Sequence, residues 1–200
     1  KGYIVSLERA ILHSRNELLA VLDSDDTLDP KALELVRKIY ANKSEIGLVY
    51  TQCYYCDSDL RPVHLGFSAP IPEGKSNLHV NAINAMRTFR KSAYKSTDGY
   101  DPEMLFAEDI DLNLKLEEVT FPYFLDQPLY YYRVLEQSQT HGFKNARINR
   151  INSAKAKWRA FQRRRGSGDS NLQKHEASEV LFWGALNSFL AFRWQDLYFF

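Results

Sequence analysis

The run Leu18-Leu19-Ala20-Val21-Leu22, followed at once by Asp23-Ser24-Asp25-Asp26, constrains this chain more than any other stretch. Five apolar residues without polar alternation read as a short strand buried on both faces. Before it, Tyr3, Leu7, Ala10 and Ile11 recur at helical spacing. After it, Asp29-Pro30 reads as the N-cap and first-turn proline of a helix carrying Leu33, Val36, Ile39 and Tyr40 on one face. Helix, strand, acidic loop, helix, strand is α/β order. In open α/β sheets ligands bind beyond the carboxyl ends of strands, which is where Asp23 to Asp26 fall.

Downstream, Leu48 to Tyr55 is a β-branched and aromatic strand, and Pro62 to Phe67 is an extended piece placed to pair with it. Residues 68–75, with two prolines and a glycine, form a loop. Met86 to Phe89 reads as a strand, Lys91 to Lys95 as a short helix, and Gly99-Tyr100-Asp101-Pro102 as a turn. A deeply packed helix begins at Asp109, and two short strands, Phe121 to Leu125 and Leu129 to Val134, close the core. Residues 1–135 thus form one unit, and 136–200 an extension of different character.

That extension opens with nine Lys/Arg and no acidic residue between 144 and 165. Ile148, Ile151, Ala154, Trp158 and Phe161 lie three or four apart, so the segment reads as a basic amphipathic helix. Two readings stay open: a solvated face on a packed helix, or contact with anionic lipid. Residues 166–170 read as a linker, and the last thirty residues as another apolar helix ending in aromatics.

Bulk properties exclude several classes. An apolar share of 44% and a charged share of 26% belong to an ordinary folded domain and not to a disordered chain. A formal net charge of +1 gives no electrostatic reason to expect a nucleic-acid partner. Cys53 and Cys56 are the only cysteines, and no paired Cys/His partner completes a zinc site, so they read as strand cysteines in a reducing compartment. No apolar run is long enough to span a bilayer. The expected location is cytoplasmic, with peripheral contact at the inner membrane face left open by residues 144–165.

Two acidic segments carry the chemistry. Carboxylates crowded at a strand end repel one another, and a divalent cation offsets that repulsion; hard oxygen ligands suit Mg2+ or Mn2+. With Ser24 turned away, Asp23 and Asp25 reach one cation. Taken alone, the loop is equally a helix cap or the nucleophile loop of a phosphatase. The second segment, Glu108-Asp109, opens a helix, where the macrodipole keeps a carboxylate ionised as a base requires. Helix capping is its plain alternative.

Five blocks in order resemble family 2 glycosyltransferases of the GT-A fold: Ala20 to Asp26, Phe89 to Tyr94, Gly99-Tyr100-Asp101, Glu108 to Leu116, and Pro128 to Arg133. The resemblance implies a GT-A-like, Rossmann-like α/β fold: a mixed sheet flanked by helices, partial at the N-terminus, with C-terminal helices added. It implies inverting transfer from a nucleotide-diphosphate sugar to an acceptor hydroxyl on a glycan, lipid-linked or protein acceptor, as in polysaccharide biosynthesis. In that pattern Asp25, with Asp23, binds the metal (Mn2+ or Mg2+) and its diphosphate, and Asp109 is the general base. Arg133 is placed either to pair with the diphosphate or to make a structural ion pair.

Three departures accompany the resemblance. Only 22 residues precede Asp23, so the strand that holds the nucleotide base is expected outside this sequence. Glu8 stands where the family usually has Asn, and Leu135 where many members have a metal-site His, leaving Glu136, His141 or water to complete the shell. A non-catalytic, transferase-like interaction module and a haloacid-dehalogenase-type phosphatase, matching Asp23-Ser24-Asp25-Asp26-Thr27-Leu28, are the alternatives.

Overall fold

The computed structural model of the chain describes residues 2–135 and 143–165. Helix α1 (Tyr3–His13) leads into β1 (Leu18–Ala20), the acidic loop and a two-residue strand, β2 (Thr27–Leu28). Helix α2 (Ala32–Asn42) returns the chain to β3 (Ile46–Cys56), which turns back as β4 (Pro62–Leu65). A single-turn α3 (Asn77–Val80) precedes β5 (Arg87–Arg90) and α4 (Lys91–Lys95). Then come α5 (Glu108–Val119), β6 (Phe121–Arg133) and α6 (Phe143–Arg165).

The strands run in the order β1-β5-β3-β6-β2, with β4 also paired to β3. β3 and β6 are parallel; the other pairs are antiparallel, so the sheet is mixed, as expected. β3 lies at its centre, and alternate residues serve opposite faces. Leu48 and Tyr50 pack with Phe89, Ile4, Ile11, Leu112 and Leu116 under α1 and α5. Val49 and Cys53 pack with Val36, Tyr40 and Tyr130 under α2. Helices therefore cover both faces, and Cys53 and Cys56 are free, buried thiols of a strand.

The structure corrects four sequence expectations. β1 stops at Ala20 and lies at the edge of the described sheet, where Ala20 and Leu22 are exposed; Leu19 and Val21 pack on the α1 side and Leu18 on the α2 side, each only partly buried. α2 starts at Ala32, because Asp29 accepts a bond from the Lys31 N–H and closes a turn ahead of the helix; Leu33 is exposed while Ala32 takes its place in the core. The two predicted terminal strands are one, β6, whose irregular register near residues 125–128 absorbs Pro128 without ending the strand. On α6 the buried stripe is Ala156, Ala160 and Phe161, and Ile151 is exposed.

The cationic face of α6 is directed largely at the protein. Arg163 makes two bonds to Glu118, at 2.7 and 3.0 Å, and Arg164 reaches Glu117 at 2.8 Å. Arg159 pairs with Asp101 and Glu103, and Lys155 with Glu103. These pairs remove much of the charge on which the lipid reading rested. No helix among the described residues is long and apolar enough to cross a membrane. Glu136, His141, the linker and the predicted C-terminal helix lie outside the described residues.

Candidate active site

The acidic loop is fastened to β6 by three of its own groups. Tyr130 Oη donates to Asp26 Oδ2 at 2.6 Å and accepts the backbone N–H of Asp23 at 3.2 Å. The Arg133 N–H donates to Asp26 Oδ1 at 2.7 Å. Arg133 Nε then holds the carbonyl of Asp25 at 2.7 Å, and its Nη1 the carbonyl of Ser58 at 2.5 Å. Burial raises the Asp26 carboxyl above its ordinary range, against the opposing pull of those two donors. Asp26 is thus committed to the fold, which leaves Asp23 and Asp25 to face outward.

Asp23 Oδ1 accepts a bond from Tyr3 Oη at 3.1 Å, which ties α1 to the loop. Asp25 is exposed, and its carboxylate has no protein partner among the described residues. No group of three or more His, Cys, Asp or Glu placed to hold a metal ion occurs there. One or two free carboxylates still fit a cation of the Mg2+ type, which keeps several waters and takes its other ligands from substrate phosphates.

Glu108 and Asp109 open α5, whose N-cap residue Ala107 makes no side-chain cap bond; Asp109 itself takes a first-turn N–H, so the capping alternative holds for it in part. Asp109 Oδ2 pairs with Arg87 Nη1 at 2.6 Å, and Oδ1 accepts the Ile110 N–H at 2.7 Å. Burial of Arg87 works against its charge, and the Asp109 carboxylate more than compensates, so the guanidinium stays firmly protonated. Burial, then the neighbouring Asp109 charge, pushes the Glu108 carboxyl up to about 6.

Arg87 was not singled out from sequence, yet it joins the two acidic segments. Its carbonyl accepts the Val21 N–H at 3.1 Å, two residues before Asp23, while its guanidinium grips Asp109. Asp23 also acts electrostatically on Arg87 and on Glu108, so the two acidic segments lie within reach of each other. Non-glycine residues with positive φ lie close to both partners: Met86 (50°) directly before Arg87 and Phe106 (64°) ahead of Glu108 and Asp109, across Ala107. Such backbone is costly and persists where the surroundings hold it in place. The sequence trace of Arg87 is one of two arginines in the four-residue strand RTFR, a weak signal.

The phosphatase alternative required a second acidic pair at the end of another buried strand. Glu108 instead follows turns over residues 102–107.

No family model matches the chain. It is 29% identical over 140 residues to chondroitin synthase of Escherichia coli, covering 70% of this chain and 20% of that protein. It is 28% identical over 118 residues to chondroitin synthase of Pasteurella multocida (strain Pm70), and 29% identical over 118 residues to hyaluronan synthase of P. multocida; each match covers 59% of this chain and 12% of the relative. Among solved structures, S. aureus TarS 1-349 superposes with a TM-score of 0.50 at 16% identity, over 90% of this chain and 58% of that one. S. aureus TarS gives 0.50 at 14% identity, over 77% and 28%. The fold is GT-A-like. In sequence the chain is similar to chondroitin and hyaluronan synthases. This glycosyltransferase-like chain spans a fifth or less of the curated relatives it matches.

Proposed function

We propose that the protein containing this chain transfers a sugar from a nucleotide-diphosphate donor to a hydroxyl of a growing glycan, with inversion at the anomeric carbon. The observation that carries the reading is Arg87, which holds Asp109 by its side chain and the strand leading to Asp23 by its carbonyl. An acidic loop for the donor and a base for the acceptor are thereby set in one frame, and positioning of this kind supplies much of the acceleration in group transfer.

Asp109 would take the proton from the acceptor hydroxyl as its oxygen bonds the anomeric carbon. The bond from that carbon to the donor diphosphate breaks, and its electron pair leaves on the phosphate oxygen. Asp25, helped by Asp23, would hold Mg2+ or Mn2+, which supplies neutralisation of the diphosphate charge. Arg133 stands at the Asp25 carbonyl, beside the carboxylate that would face the cation, and we retain it as a neighbour of the diphosphate. We keep residues 1–135 as the transferase core and 136–200 as its extension. Two buried thiols fit a reducing, cytoplasmic setting.

Donor binding and turnover test the reading. Asp25→Ala should abolish thermal stabilisation by nucleotide-sugar plus Mn2+; stabilisation equal to wild type would remove Asp25 from the site. Asp109→Asn should retain that stabilisation and lower kcat about 10²–10⁴-fold, the usual contribution of a general base. Transfer at the wild-type rate would remove Asp109 as the base.

A further inference from the structure

A polar cavity, whose lining does not include Asp109, lies where the Gly99–Pro102 turn, α5 and α6 meet. Its volume of about 310 Å³ is at the lower end of the range for small-molecule pockets, about 300–1,000 Å³. Asp111 and Lys115, one turn apart on α5, line it, with Tyr100 as one wall and Asp98 and Pro102 at the exposed rim.

The ion pair at its base is unusual in its burial. Asp111 is 1% exposed and Lys115 9%, and they meet at 2.6 Å. Lys115 Nζ also donates to the Gly99 carbonyl at 2.8 Å. An ammonium has three donors, and the Gly99 carbonyl takes one of them. Neither Asp111 oxygen has a hydrogen-bond partner, since the Lys115 contact at Oδ2 is an ion pair without hydrogen-bond geometry, and a buried carboxylate oxygen without a donor is costly. The base of the cavity therefore holds spare acceptors and spare donors side by side. A hydroxyl supplies both at once.

The walls agree with a hydroxyl-rich, ring-shaped ligand. The cations lining the cavity are matched within the protein, Arg159 by Asp101 and Glu103, and Arg163 by Glu118, so no net charge calls for a small ion. Tyr100 offers an aromatic wall and lies within electrostatic reach of both Arg87 and Asp109, which places the cavity next to the proposed base. We propose that this cavity is a subsite for one pyranose ring of the glycan acceptor, whose hydroxyl is shared between Asp111 and Lys115. The proposal rests on the transfer reading above, but it can fail separately from it.

The test fills the cavity from its exposed rim and leaves the buried pair and the catalytic groups intact. Saturation-transfer NMR would measure binding of chondroitin and hyaluronan hexasaccharides to the wild-type protein and to Asp98→Trp. Pro102→Trp is a second, independent block, and circular dichroism confirms that both are folded. At least one hexasaccharide should bind the wild type, and both variants should weaken it at least tenfold. Hydrolysis of the nucleotide-sugar to water should be unchanged in both. Binding that is equal in wild type and both variants, or no binding of either hexasaccharide, overturns the subsite. Absence of donor hydrolysis in the wild type would instead count against the transfer reading, while hexasaccharide binding would still report on the cavity.

Discussion

Asp26 and Arg133 belong to the motif blocks, yet their polar atoms are directed at the protein itself. Asp26 takes Tyr130 and the Arg133 N–H; Arg133 takes two carbonyls. A run of three acids in four positions does not say which of them faces a ligand, because that depends on which strand runs beside it. Gly99 shows a motif residue whose reason is wholly local: its φ is +68°, and an added Cβ would meet the Tyr94 hydroxyl at 2.8 Å. Its carbonyl in turn receives Lys115. Glu108 supplies the prediction at this scale. Its folded carboxyl is raised from 4.5 to about 6, so the native state holds that proton more tightly than the unfolded chain does. Stability must therefore fall as pH rises from 4.5 through about 6. Glu108→Gln should flatten that fall, measured as the urea midpoint across the window; an unchanged slope would show that Glu108 is not the titrating group.

At the scale of elements, the site depends on β5 being fixed in register, since β5 carries Arg87. Tyr40 of α2 secures that register from the far face. Its hydroxyl donates to the Thr88 carbonyl at 2.7 Å and accepts the Val49 N–H at 3.0 Å, bridging α2, β3 and β5 at one buried atom. Arg90 stacks on the Tyr40 ring, 5.0 Å from its centroid, and donates to the Ile46 and Tyr40 carbonyls. Tyr40→Phe leaves a buried N–H without that acceptor, and should cost about 1–3 kcal/mol. Chemical denaturation checks it; a loss below about 0.5 kcal/mol would mean that neighbouring groups had replaced the hydroxyl. Helix periodicity located Val36 and Tyr40 correctly and misplaced Leu33, because the helix start depends on the turn that Asp29 closes. The β6 strand was read as two because Pro128 breaks the local pattern, whereas pairing with β3 and β2 carries the strand past it.

Across the whole molecule, α6 is built onto the core through α5. Phe161, Ala156 and Ala160 pack with Leu78, Met104 and Leu114, and the surrounding arginines pair with Glu117, Glu118 and Asp101. The alanines allow close approach, and Phe161, the one large buried side chain on α6 among the described residues, fills the contact. Phe161→Ala should destabilise the fold by about 3–5 kcal/mol, read by equilibrium urea unfolding. A loss under 1 kcal/mol would show that α6 contributes little to the core.

The α/β order, the two acidic segments and the resemblance of five blocks were legible in residues 2–133, since they rest on local periodicity and on short motifs. Neighbouring residues set those features, and no long-range contact is needed to recognise them. Tertiary structure alone decided that β1 ends at Ala20 on an edge, that Asp26 is structural, and that Lys155, Arg159, Arg163 and Arg164 of the basic helix pair with the protein's own acids. It alone brought Arg87 between residues 21 and 109, an arrangement made by strand pairing across more than sixty intervening residues. Pairing partners and burial belong to the folded chain as a whole, and a linear pattern holds no record of which side chains will meet.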